Sequence, residues 1–273
     1  MAVNLASKFD PKVAERFSLR SITDAYCGKD YEFTDVDTIK VYTVDTVPTT
    51  DYTRSGLNRF GTANELGDTV QTMTLRKDKA FCFTIDKGNN AEQYNVKQSN
   101  KCLKRELDEV ITPEIDTYRL AQWAAGAGLT STDAALDSST VLEAMFDAMS
   151  QMSNKLVPRT NRTFFIEETL YNKLLLSNQI VGIDSLGSKT ISSGKPGPIN
   201  GANVVPVPSI YMPENTNFIL KYKNCTVDAN KLADYRIHAD PPGISGALVE
   251  GRIIYDSFVL TTKANGIFVS KSA

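Results

Sequence analysis

Residues 70–87, VQTMTLRKDKAFCFTIDK, place Met73 and Leu75, then Phe81, Phe83 and Ile85, at alternating positions, with Lys77 and Lys79 on the same side between them. Strand side chains alternate faces, and lysine is almost never buried unpaired. The pattern therefore predicts one extended strand that covers two separate apolar surfaces. Residues 38–47 alternate as a second strand, with Ile39, Val41 and Val47 on one side and Tyr42 and Val44 on the other. Between the two lie 22 mostly polar residues, 48–69, holding Gly56, Gly61 and Gly67. A structureless stretch beyond ~12–15 residues is uncommon in a compact domain unless it is functional. A long hairpin is expected, and because two-stranded hairpins are marginal in water, its distal part, with Met73 and Leu75, is expected to rest on a surface outside its own domain.

The period changes to three and four residues over 91–125, where Val96, Leu103, Leu107, Val110, Ile111, Tyr118 and Ala121 recur. Unbroken, that helix would be a rod of roughly 50 Å. Pro113 interrupts it, and Thr112-Pro113-Glu114 is also a good helix start. A kinked rod and two consecutive helices both satisfy the pattern. Gly126-Ala127-Gly128 and residues 131–139 punctuate the chain. A helix over 140–154 then aligns Val141, Leu142, Met145, Met149 and Met152. A buried strand is read at 162–166 and a helix at 167–177. The alternation predicts a small α/β unit. Residues 182–203 read as loop, and short strands are expected at 204–207, 218–222, 235–238, 253–260 and 266–269.

At the start, Asp10-Pro11 forms a helix-start signal followed by the one-face pair Val13 and Phe17. That helix is too short to stand alone, so the first ~35 residues are expected to be an arm lying on something else.

Composition narrows the chemistry. The 273 residues carry 30 basic and 32 acidic side chains, a net charge of −2, which lacks the clustered excess that bulk phosphate binding requires. The four cysteines are scattered and His238 is the only histidine, so a structural zinc site is not expected. No segment has the pattern of a secretory leader or approaches the ~20 apolar residues of a membrane span. The expectation is a cytoplasmic chain with reduced thiols.

Residues 182–190, GIDSLGSKT, nearly spell a phosphate loop, but Ser188 displaces the lysine and no helix follows. Gly126-Ala127-Gly128 lacks the third glycine of a dinucleotide fingerprint. His238 is read as structural or superficial, and the acidic pairs Glu167-Glu168 and Asp108-Glu109 as solvated helix faces. Trp123 suits core or interface equally. No residue is assigned a catalytic, cofactor-binding or metal-binding role, and no enzyme activity is expected.

The order of parts resembles a known family. An arm, a long hairpin, the strand FCFTID (81–86), a long helix carrying TPEIDTYR (112–119), an α/β insert, and the closing YDSFVL (255–260) and GIFV (266–269) resemble the major capsid proteins of tailed bacteriophages. The resemblance implies an α+β, Hong Kong-type capsid fold. Its parts would be an N-terminal arm at 1–37, an extended loop at 38–78, a peripheral domain at 79–127 and 224–273 with its spine helix at 91–125, and an axial domain at 128–223. It implies pentamers and hexamers of the chain in an icosahedral or prolate shell around double-stranded DNA, assembled in the bacterial cytoplasm and then residing in the virion.

Implied partners are further copies of the chain, portal and decoration proteins, DNA held only non-specifically, and no membrane. No long scaffolding segment precedes the arm, so a separate scaffolding protein is expected. Arg54, Arg59, Met73, Leu75, Lys77, Lys79, Val13 and Phe17 are the expected subunit-interface residues. On this reading Phe81, Phe83 and Ile85 belong to the subunit core, Met73 and Leu75 to a neighbour, and the two lysines mark the solvated or ion-paired crossing. The rival readings are an encapsulin-type compartment, a phage tail or adaptor component, and a small-molecule enzyme.

Overall fold

A computed structural model of the chain describes residues 20–28, 30–31, 37–63, 65–92, 97–177 and 198–273. The expectations for Val13, Phe17, Val96 and the near-phosphate loop fall outside these residues.

The expected single strand over 70–87 is two strands in different sheets. β1 (Thr38–Val44) and β2 (Asp68–Thr74) form an antiparallel ribbon, whereas β3 (Lys77–Asp86) is an edge of a second sheet. The break falls at Leu75 and Arg76, whose amides find partners in neither ladder: Leu75 N–H donates to the Asp37 carbonyl and Arg76 N–H to the Asp256 carboxylate. Backbone donors must be satisfied somewhere, and these two bonds let the chain change sheets without an orphan.

The helical region is α1 (Lys87–Glu92), then α2 (Ser99–Glu106), a π-helical segment (Leu107–Ile111) and α3 (Thr112–Ala125), the last three continuous. The spine therefore runs over 99–125, about 40 Å at 1.5 Å per residue, shorter than the expected 91–125. Pro113 neither breaks nor separates it. Proline sits at the first turn of α3, and the wider π turn before it absorbs the missing amide, with Thr112 Oγ1 donating to the Leu107 carbonyl.

Two sheets flank the C-terminal half of this spine. One has the order β3-β9-β8, with β8 (Thr226–Ala239) and β9 (Gly246–Val259), a long antiparallel hairpin where shorter strands were expected. The other has the order β4-β10-β7-β5-β6, built from β4 (Leu129–Asp133), β5 (Arg162–Glu167), β6 (Asn203–Val207), β7 (Thr216–Tyr222) and β10 (Ile267–Ser272). β4 lies in a stretch read as punctuation, because its sequence, LTSTD, has few apolar residues. β10, grouped above with the peripheral residues, pairs with β4 and β7 in this five-stranded sheet. The C-terminus thus closes the α/β unit.

The five-stranded sheet is covered on both faces, which explains its uninterrupted apolar strands. Phe164, Ile166, Leu220 and Phe268 pack beneath α4 (Val141–Asn154), whose Met145 and Met152 are fully buried, and α5 (Glu168–Leu175). Phe165, Ile219, Ile267 and Val269 turn the other way, onto Leu120 and Trp123 of the spine. Trp123 is core. Arg162, at the start of β5, is buried and donates to the carbonyls of Met149, Val157 and Pro158. Its guanidinium thereby ties β5 to the last turns of α4 and to the loop after it, the favourable end of the helix for a cation.

Candidate assembly surfaces

The hairpin is two-faced. Ile39, Val41 and Met73 point down onto the body, where Met73 is 1 % exposed in a cluster with Val227, Ala229 and Leu260, and Leu75 packs at its edge. The expectation that Met73 and Leu75 rest on a neighbouring subunit is corrected: their apolar partner is the chain's own β8 and the end of β9. Gln71 fastens the same face, donating Nε2 to the Val259 carbonyl while its Oε1 accepts from the amide and hydroxyl of Thr261. One side-chain amide thereby substitutes for a rung of sheet.

The upper face carries Tyr42 opposite Val70, with Val44 beside them. These are 64 %, 42 % and 61 % exposed, although Tyr and Val are the residues that sheets usually bury. The tip adds Leu57 at 96 % and Phe60 at 86 %, the latter edge-on to Tyr52. Single exposed apolar residues need no explanation, but a run of them along one element marks an interaction surface. Arg54 and Arg59 sit in this exposed tip, with Arg59 Nε donating to the Gly56 carbonyl within the turn. Residue alternation alone located this face, since Tyr42 and Val44 share a side. The choice of which side is free depended on what lay beneath.

Lys77 and Lys79 lie on the spine side of β3. The Lys77 ammonium is 4.9 Å from the centre of the Tyr118 ring, and Lys79 Nζ is 3.1 Å from Glu114 Oε1. Phe83 and Phe81 are half-buried and stack on each other, while Ile85 is buried. Among the described residues both lysines thus have partners on the chain's own helix.

The hairpin root is pinned by Asp256, which is 1 % exposed. Its carboxylate accepts from Arg76 N–H at 2.9 Å, Arg76 Nε at 3.3 Å and the Tyr118 hydroxyl at 2.8 Å. Burial, then the bond to this carboxylate, pushes the Tyr118 phenol up to about 12. Replacing Asp256 with Ala removes the acceptor of these part-buried donors and of the buried Ser257 N–H, at about 1–3 kcal/mol. In Asp256→Ala, hydrogen exchange is expected to quicken at least tenfold in β1 and β2 while the five-stranded sheet keeps its protection. Unchanged exchange in the hairpin would show that Asp256 does not hold it.

A second polar cluster joins all the layers and was missed by the sequence reading. Residues 21–28 cross the spine as a strap. The Ser21 hydroxyl, the Ile22 amide and the Thr23 hydroxyl all donate to the buried Asp116 carboxylate, and Arg119 Nη1 donates to Thr23 Oγ1. Further along, Lys221 Nζ donates to the Tyr26 carbonyl, lies 4.0 Å from Asp228 Oδ2, and sits 4.1 Å above the Trp123 ring. Asp228 also accepts from Gly28 N–H, Trp123 Nε1, Ser257 Oγ and Thr226 Oγ1. Burial alone would raise its pKa, but Lys221 and these donors outweigh burial and hold it below the ordinary carboxylate value. Gly28 is required here: a Cβ would fall 1.9 Å from the Thr226 carbonyl oxygen. The available signal was Asp116 and Arg119 on the same helix face as Leu120 and Trp123.

Among the described residues no group of three or more His, Cys, Asp or Glu is placed to hold a metal. Burial raises the Cys27 thiol to about 12 and Cys225 to about 11, so neither supplies a thiolate nucleophile at neutral pH. His238 lies on the sheet surface, 3.4 Å from Glu250. No helix among the described residues is long and apolar enough to cross a membrane.

The sequence matches no protein-family model and no curated protein. Its fold is similar to solved chains over nearly its whole length. A structure from Mycobacterium phage Che8 superposes with a TM-score of 0.83 at 13 % identity, covering 97 % of this chain and 96 % of that one. The capsid structure of cyanophage P-SCSP1u gives 0.81 at 14 %, covering 98 % and 93 %. A virus-like particle from Pyrococcus furiosus gives 0.57 at 11 %, covering 92 % of each chain. The architecture is the Hong Kong-type capsid fold expected from the order of the parts.

Proposed function

We propose that this chain is the major capsid protein of a tailed bacteriophage, building a closed shell from copies of itself around double-stranded DNA. The observation that carries the proposal is the hairpin, anchored at its root on one face and apolar on the other, in a chain whose fold is similar over nearly its full length to those phage structures. A ribbon of this kind gains its remaining stability by laying Tyr42, Val44 and Val70 on another copy. Shell interfaces of ~2,000 Å² or more make such burial, at about 25 cal/mol per Å², large enough to outweigh ordering costs.

In this reading 1–37 is the arm, the hairpin with its tip is the extended loop, the β3-β9-β8 sheet and the spine form the peripheral domain, and the α/β unit is the axial domain. Arg54, Arg59 and the upper face of β1 and β2 are the subunit contact. A separate scaffolding protein, portal and decoration proteins are the further partners, and the virion is the location. A compartment shell without a genome is the second reading. DNA inside particles purified from infected cells decides between them.

Limited trypsin digestion tests the contact. Free chains are expected to be cut at Arg54 and Arg59, and assembled shells to be spared there. Equal cutting in both states would remove the tip from the interface.

A further inference from the structure

Residues 97–105, KQSNKCLKR, hold four basic side chains and no acid, in a chain whose overall charge is −2. They open the spine. α2 starts at Ser99, and the Asn90 side chain fixes the chain just before it, accepting from the Lys97 amide and donating to the Lys97 carbonyl. Arg105 turns to Glu109 at 2.8 Å and, with Cys102 and Glu106, lines the groove against Phe83 and Ile85 of β3. Lys97, Lys101 and Lys104 are exposed, outside that groove. Among the described residues no ion pair holds any of the three. Asp108, one turn beyond Lys104, is half-buried and ends the stripe.

This is a poor local sequence for a helix start. α2 has no acidic residue in its first turn, and Gln98 at the N-cap makes no side-chain bond to it. Cations beside the positive end of a helix dipole are repelled, and an acid there would be favoured. Local rules of this kind are broken chiefly where function requires it.

Strand alternation shows which side of the molecule the stripe occupies. Val227 and Ala229 of β8 face the hairpin, while Asp228 between them accepts from Trp123 of the spine. Successive strand residues point to opposite faces. The hairpin and the spine therefore lie on opposite sides of the β3-β9-β8 sheet. A subunit contact made by the hairpin's upper face leaves the lysine stripe open.

We infer that Lys97, Lys101 and Lys104 form the surface that meets the phosphate backbone of duplex DNA, which makes the spine side of the sheet the inner face of the shell. Lysine ammonium groups act as point charges, and phosphate contacts carry no sequence information, so the binding is independent of sequence. Lys101 and Lys104 stand about 4.5 Å apart along the helix axis. Each strand of a duplex carries a phosphate per ~3.4 Å, so neighbouring lysines meet neighbouring phosphates. Three contacts make a weak site in one subunit, and repetition over the shell supplies the strength. The inference rests on the proposed function, since the genome-filled shell supplies its ligand.

Fluorescence anisotropy of a labelled duplex oligonucleotide of arbitrary sequence, titrated with full-length free chains at several salt concentrations, tests it. In the triple variant Lys97→Gln, Lys101→Gln, Lys104→Gln, affinity at low salt is expected to fall by about tenfold or more. The slope of log K against log salt is expected to flatten by about 2–3, near 0.9 for each lost contact. A control with three exposed lysines elsewhere, Lys40→Gln, Lys155→Gln and Lys263→Gln, is expected to keep most of the affinity. Equal losses in the two triple variants would overturn the inference by reducing it to bulk charge, and so would a natural chain that leaves the duplex free. Poly-glutamate that displaces the duplex at equal charge would also overturn it and assign the stripe to an acidic protein. Particle formation by the natural chain, seen by electron microscopy, is the separate readout for the proposed function: shells built by a chain that fails the duplex test would strike the stripe alone.

Discussion

Asp228→Ala is expected to cost about 3–5 kcal/mol in equilibrium urea unfolding, the largest single-site loss in the molecule. The reason is the company it keeps. Lys221 is 1 % exposed, and the carboxylate 4.0 Å away is its counter-charge. Removing that carboxylate leaves a buried ammonium together with the donors Trp123 Nε1, Ser257 Oγ and Gly28 N–H. The double variant Asp228→Ala with Lys221→Met is expected to recover part of the loss, since deleting both charges removes the desolvation penalty that one alone incurs. No recovery would mean that packing, not charge, sets the cost.

The same carboxylate gives a pH dependence of definite sign. Asp228 has a folded-state pKa below its unfolded value near ~3.9, so the unfolded chain binds the proton more readily. Its contribution is fully present above the unfolded pKa and is lost as pH falls through the folded one. Stability of the natural chain is therefore expected to fall below about pH 4 more steeply than that of the double variant. Parallel curves would show that Asp228 carries none of the acid sensitivity.

Tyr42→Asp combined with Val70→Asp is expected to abolish particle assembly while leaving the subunit folded. Both side chains lie on the exposed face of the ribbon, so unfolding free energy should move by no more than ~0.5 kcal/mol per site. Aromatic anchors at an interface centre are worth ~2 kcal/mol or more each, and a carboxylate buried without a partner adds to the deficit. A shell repeats the contact in every subunit, so the deficit multiplies. Electron microscopy and sedimentation would report it, and particles forming at the natural threshold concentration would place this face in solvent, not between subunits.

Met73 shows how the readable and unreadable parts divide. Its alternation with Leu75 announced a buried face, and a buried face is what the structure has. Which body covers that face is a long-range fact, set by Val227, Ala229 and Leu260 some 150 or more positions later in the chain. Tyr42 and Val44 carry the same local signal, yet they are exposed, because none of the described residues folds over them. The strap cluster was illegible for a similar reason: Asp116, Lys221 and Asp228 look like ordinary surface charges until three separate elements converge on them.

Local periodicity by itself determined the hairpin, the spine, the helix with its methionine row and the covered apolar strands, because helix and strand spacing are properties of neighbouring residues. The succession of those parts pointed to the shell fold. Tertiary structure alone decided that the spine runs through Pro113 by way of a π turn, that the last strand closes the α/β sheet, and which side of the ribbon is left open. Those outcomes depend on contacts between distant segments, where backbone donors and buried charges must find partners, and no window of adjacent residues contains that information.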